Sequence, residues 1–155
     1  MAKNFTYYLL LGGNENNTLQ LFDKAILFLS KEGNVVKKSS IHQSEAWGFK
    51  SEKLFYNQAL EYKTDLPPEN LLKKIHEIEI SLGRIRDNSG YKDRGIDIDI
   101  LLLSNESFSS ENLQIPHPLL HQRAFALKPL IEICPNYVHP ILQKTIAELL
   151  LAHNC

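Results

Sequence analysis

From Ile96 to Ile100 apolar and acidic residues alternate strictly, which is the period of a half-buried β-strand. Ile96, Ile98 and Ile100 then share one face, and Asp97 and Asp99 share the other. After Ile100 the alternation gives way to Leu101-Leu102-Leu103, as in a strand that sinks into a core covering both of its faces. Upstream, the aromatic and aliphatic residues 5–11 predict a first strand, ended by Gly12-Gly13-Asn14. Leu19, Phe22, Ala25, Ile26 and Leu29 recur at helical spacing, with Asn16, Asn17 and Thr18 as N-cap candidates and Gly33-Asn34 as a stop. Residues 35–43 and 54–63 predict the second and third strands. Asp65-Leu66-Pro67-Pro68-Glu69 opens a helix whose buried stripe is Leu71, Ile75, Ile78 and Leu82 and whose stop is Gly83. His76 and Glu79, three apart, lie on a neighbouring face of that helix and can look at one site. Two C-terminal helices, over 127–133 and 141–151, complete the pattern.

The order strand, helix, strand, strand, helix, strand predicts an α+β, ferredoxin-like βαββαβ sandwich. Right-handed crossovers put both helices on one face of an antiparallel sheet, and the added C-terminal helices cover it further. At 155 residues the chain is one domain, 1–155, with a sizeable core. A formal net charge of −1 gives no overall field favouring nucleic acid or an anionic membrane. Neither a signal-type N-terminus nor a membrane-length apolar run is present. The two cysteines, Cys134 and Cys155, form no metal or redox spacing and read as free thiols of a cytoplasmic protein.

Against this neutral background the chemistry is local. Two carboxylates two residues apart on a strand, roughly 6.5–7 Å at Cα, can converge on one metal ion or bracket a pair. The alternative is a solvated acidic edge, although like charges on one strand face repel without a counter-cation. Arg84, Arg86, Lys92 and Arg94 crowd the glycine-containing loop before the acids, and with Arg123 further on they predict an anion site. His117 stands between Pro116 and Pro118, which would aim its ring in a set direction; a structural histidine is the other reading. Trp47, the single tryptophan, lies in a loop without period, either as a packing plug or as a lid contact.

In combination these pieces resemble the 6-hydroxymethyl-7,8-dihydropterin pyrophosphokinase family of folate biosynthesis. The resemblance runs through Gly12-Gly13-Asn14, Trp47-Gly48, Phe55 and Asn57, and Gly83-Arg84-Ile85-Arg86. It continues through Arg94 with Asp97-Ile98-Asp99-Ile100-Leu101, Pro116-His117-Pro118, Arg123, Phe125 and Pro129-Leu130. It implies a transferase that moves the terminal diphosphate of ATP to the hydroxymethyl group of the reduced pterin, releasing AMP. Asp97 and Asp99 would hold two Mg²⁺ ions, and Arg84 and Arg94 would clamp phosphates as their loop closes. His117 and Arg123 would contact the triphosphate, His76 would sit near the nucleotide, and the Ile100 backbone would bond adenine. Phe55 and Phe125 would stack on the pterin, Asn57 would read its edge, and Ser44 and Trp47 would add backbone hydrogen bonds. For the two phenylalanines plain core packing is the competing reading, and the two-residue Phe55/Asn57 spacing, which puts both on one strand face, favours the pocket. The expected partners are these small molecules alone, bound by a monomer, with no nucleic acid and no membrane.

The chain departs from the family pattern in loops: Lys92-Asp93 where small residues are usual, Tyr91 for a common tryptophan, Gly13 for serine and Ala46 for proline. Two rival functions remain at this level. An RNA-binding module of the same fold would want a basic sheet face with aromatic residues, and here that face carries the two acids. A phosphohydrolase would use the same acids with water as acceptor.

Overall fold

The structure, a computed structural model, describes residues 4–45, 54–83, 95–104 and 106–153. In chain order it runs β1 (Phe5–Gly13), α1 (Thr18–Ser30), β2 (Gly33–Lys38), β3 (His42–Ser44), β4 (Phe55–Thr64), α2 (Pro68–Ser81) and β5 (Asp97–Leu103). A small hairpin follows, β6 (Phe108–Ser109) and β7 (Gln114–Ile115), then a 3₁₀ turn (Leu120–Gln122), α3 (Ala124–Ile133) and α4 (Ile146–His153).

The main sheet has the order β2-β4-β1-β5, with β3 also on β4, and every pairing is antiparallel. This is the predicted βαββαβ order. Because side chains alternate along central β1, Tyr7, Leu9 and Leu11 pack with Leu21, Phe22, Ala25 and Leu29 of α1 and with Leu71, Ile75 and Ile78 of α2. Tyr8 and Leu10 face the other way, onto Ala126, Leu127 and Leu130 of α3 and Ile146 and Leu149 of α4. The sheet is thus covered on both faces.

On β5 the change of pattern after Ile100 has a concrete cause. Leu9 pairs with Ile100 and Tyr8 with Leu102, so Leu101 is the extra residue of a β-bulge. Ile98 and Ile100 enter the α1/α2 core, Leu101 and Leu102 both enter the α3/α4 core, and Leu103 returns to the first. Asp97 and Asp99 lie on the α3/α4 face, at the end of the strand these helices leave open.

Several local expectations are corrected. Gly12 and Gly13 do not end β1 but belong to it, paired with Asn57 and Tyr56. A Cβ at Gly13 would lie 2.2 Å from the Gly95 carbonyl oxygen, so the start of β5 approaches β1 more closely than any side chain permits. The predicted second strand is broken in two, because Ser39 turns inward: its hydroxyl accepts the Ala59 N–H at 2.9 Å and its carbonyl accepts Gln58 Nε2 at 2.8 Å. On α1 the buried stripe takes Leu21 and Thr18 rather than Leu19, which is 45% exposed. On α2 it takes Glu79, with Leu82 only packed at its margin. Asn17 makes no side-chain cap; the Thr18 hydroxyl instead accepts the Glu15 N–H and donates to the Gly95 carbonyl, both at 2.9 Å. Gly83 stops α2 with φ +96°, as expected. Among the described residues no helix is long and apolar enough to cross a membrane. Cys134 is free and buried, and burial pushes its thiol up to about 12.

Candidate active site

Register lines up the predicted residues. His42 pairs with Asn57, Asn57 with Gly12, and Gly12 with Asp97. Directly paired residues share a face, so these four form one row across the sheet. Asp97 and Asn57 are two strands apart, roughly 10 Å at the usual strand spacing. Gly12 is the floor between them; a Cβ there would come within 3.2 Å of Asn57 Oδ1. Two pairs further along, Ser44 faces Phe55 on the same side. Asn57 is 2% exposed and its Nδ2 donates to the Ser44 hydroxyl at 3.1 Å, which fixes the orientation of the amide.

On the β5 side of this row lies a cleft of about 510 Å³ lined by His76, Asp97, Asp99, Ile100, His117 and Arg123. Its far wall is the β6–β7 hairpin, residues 110–114, and Glu79 closes its base. The Glu79 carboxylate is 1% exposed and accepts the Ile98 N–H at 2.8 Å on the free edge of β5. In an antiparallel strand alternate residues present N–H and C=O to the same side, so the Ile100 backbone points to that edge, into the cleft. The hairpin is tied to the first turn of α2 by a hydrogen bond from the Ser110 hydroxyl to Glu69.

His117 is anchored at both ends. Its N–H donates to the Leu101 carbonyl at 2.9 Å, and its Nδ1 accepts the Leu119 N–H at 3.1 Å. An accepting Nδ1 assigns the proton to Nε2. Burial, and then the Arg123 guanidinium, push the ring down to about 4, with Asp97 opposing, so at neutral pH it is an uncharged donor. Arg123 is 7% exposed, and its guanidinium carbon lies 5.6 Å from the centre of the Phe125 ring.

Phe125 itself belongs to a second, adjoining cavity of about 360 Å³, with His42, Ser44, Gln122 and Lys128 among its walls. The fold therefore brings His76, Asp97, Asp99, Ile100, His117 and Arg123 together on one side; on the other, Ser44 lines the second cavity with Phe125, pairs with Phe55 and bonds Asn57. Arg84, Arg94 and Trp47 lie outside the described residues. Sequence reasoning missed the floor at Gly12 and the hairpin wall, and it did not foresee that Glu79 is buried. Gly12 looked like turn punctuation, and the polar stretch before Ile115 has no period to read. Among the described residues no cluster of three or more His, Cys, Asp or Glu side chains forms. Asp97 and Asp99 are half-buried and line the cleft from one strand face, and carboxylates suit an ion that takes its other ligands from phosphate and water.

Comparison with known proteins identifies the family. The model of the family described as 7,8-dihydro-6-hydroxymethylpterin-pyrophosphokinase (HPPK) matches residues 8–135. A 2-amino-4-hydroxy-6-hydroxymethyldihydropteridine pyrophosphokinase of Aquifex aeolicus is 41% identical over 92% of this chain and 89% of its own. A protein of the same name from Bacillus subtilis is 37% identical over 82% of this chain and 77% of its own. A folic acid synthesis protein of Pneumocystis carinii is 37% identical over 93% of this chain but only 20% of its own length. Among solved structures, an HPPK-DHPS in complex with substrates superposes with TM-score 0.78 at 14% identity, over 97% of this chain and 43% of that one. A Plasmodium falciparum HPPK-DHPS gives 0.77 at 17% identity, over 98% and 44%. At these identities the structures attest the fold alone.

Proposed function

The chain belongs to the 7,8-dihydro-6-hydroxymethylpterin-pyrophosphokinase family, and from that premise we propose how its residues share the work. The reaction moves the terminal diphosphate of ATP to the hydroxymethyl group of 6-hydroxymethyl-7,8-dihydropterin, a step of folate synthesis. The pterin oxygen forms a bond to the β-phosphorus while the bond from that phosphorus to the α-phosphate oxygen breaks, so AMP leaves. Such transfer asks the protein for alignment and charge stabilisation rather than covalent chemistry.

ATP lies in the larger cleft. The Ile100 backbone meets adenine on the free edge of β5, His76 lies near the nucleotide, and neutral His117 donates Nε2–H to a phosphate oxygen. Arg123 supplies a charge whose direction is held by Phe125. Arg84 and Arg94, outside the described residues, contribute charge-assisted hydrogen bonds to the phosphates. Asp97 and Asp99 would hold two Mg²⁺ ions, which when bound would supply charge neutralisation around the β-phosphorus. The pterin ring stacks between Phe55 and Phe125, Asn57 reads its edge, and Ser44 and Trp47 add hydrogen bonds. One observation carries this reading: the row Asn57–Gly12–Asp97 sets the pterin reader and the acid pair on one face with a bare glycine between them. That gap leaves room for a hydroxymethyl group to meet a phosphorus.

The test is a product analysis with ATP and Mg²⁺, with and without the hydroxymethyl pterin. The expected outcome is AMP and pterin diphosphate in equal amounts, only when both substrates are present. Asp97→Ala should abolish turnover and leave the far-UV spectrum intact. ADP as product, or nucleotide cleavage without pterin, would instead indicate a phosphohydrolase.

A further inference from the structure

One cluster near the pterin cavity has no part in the scheme above. At the break between β2 and β3, Ser40 turns outward and donates twice to Glu132 of α3: its N–H to Oε1 at 2.8 Å and its hydroxyl to Oε2 at 2.9 Å. His42 Nε2 closes the cluster by bonding the same Oε2. One carboxylate therefore takes three bonds, two from side chains and one from the backbone. They hold its pKa below the usual carboxylate range, with the Ser40 N–H the largest cause.

An exposed ion pair by itself contributes little, but the place of this one is informative. Glu132 follows Phe125 by seven residues on α3, two helical turns, so both lie on the same side of that helix. His42 and Ser44 are two apart on β3, opposite Asn57 and Phe55 on β4. The carboxylate thus ties the strand that carries the polar pterin contacts to the helix that carries the upper ring.

We propose that Ser40, His42 and Glu132 form a brace that sets the spacing between Phe125 and the sheet, and so tunes affinity for a flat heteroaromatic substrate. This rests on the pterin reading of the cavity. The brace residues are positioning residues; none needs to touch ATP.

The experiment measures pterin and ATP-analogue affinities separately, by calorimetry, for the wild type, Glu132→Ala, Glu132→Gln, His42→Phe and the double variant Glu132→Ala/His42→Phe. Glu132→Ala should weaken pterin binding about tenfold and leave nucleotide affinity within about twofold, as for a residue acting through its neighbours. Glu132→Gln, which keeps an acceptor, should recover part of the loss. The double variant should be no weaker than Glu132→Ala, because both substitutions break one device. Pterin affinity unchanged in Glu132→Ala, both ligands weakened equally, or fully additive effects would each overturn the brace. A wild type that binds no pterin overturns the substrate reading itself, and the brace with it.

Discussion

His117 shows how one side chain is fitted to its role by its surroundings. Burial, and then the Arg123 guanidinium, keep the ring neutral, at about 4 against the usual 6.5, while two hydrogen bonds to the backbone hold it in place. A neutral ring can donate one directed hydrogen bond without adding a second cation beside Arg123. The same shift has a consequence for stability. Between about 6.5 and 4 the unfolded chain protonates this histidine while the folded one resists, so its contribution is complete above the upper value and is lost as pH falls to the lower. With partial solvent exposure the loss is on the order of 2 kcal/mol. Denaturant midpoints followed across that range should therefore fall more steeply in the wild type than in His117→Gln. Parallel curves would mean that the ring already protonates as freely folded as unfolded.

At the scale of elements, β5 decides the site. It is an edge strand whose first half alternates isoleucine with aspartate, whose free edge is bonded by Glu79, and whose second half is redirected by the bulge at Leu101. The bulge lets one short strand hold carboxylates at the open end of the α3/α4 face and leucines in the covered part of it. Position also depends on the close approach of Gly95 to Gly13. Gly13→Ala should push the start of β5 away, costing about 1–3 kcal/mol of stability as other overpacking substitutions do. Urea unfolding would measure that cost, and turnover should fall with it because Asp97 follows Gly95 by two residues. Unchanged stability would mean that β5 shifts without resistance. The pattern of β5 was legible in the sequence because alternation needs no partner to be read. The break between β2 and β3 was not, since at Ser39 the hydroxyl takes the N–H of Ala59, twenty positions later in the chain.

In the whole molecule the larger cleft lies along the free edge of β5 and the smaller cavity between β3 and α3. Substitutions at the outer end of one should spare the other. Phe125→Ala should weaken pterin binding by roughly 1–3 kcal/mol, combining lost stacking with lost contact area, while a non-hydrolysable ATP analogue binds nearly as before. Calorimetry showing the reverse would move Phe125 out of the pterin slot, through its contact with Arg123, and into the nucleotide's support. Taken alone, the sequence determined the order of strands and helices, the sharing of one face by Asp97 and Asp99, and the residue types that mark the family. These depend on periodicity and on short motifs, which are local properties of the chain. Tertiary structure decided that Gly12 lies between Asn57 and Asp97, that Glu79 is buried against β5, that His117 is neutral, and that Ser40 and His42 meet Glu132. Each of these joins residues far apart in the chain, and only strand register and helix packing bring such groups within bonding distance.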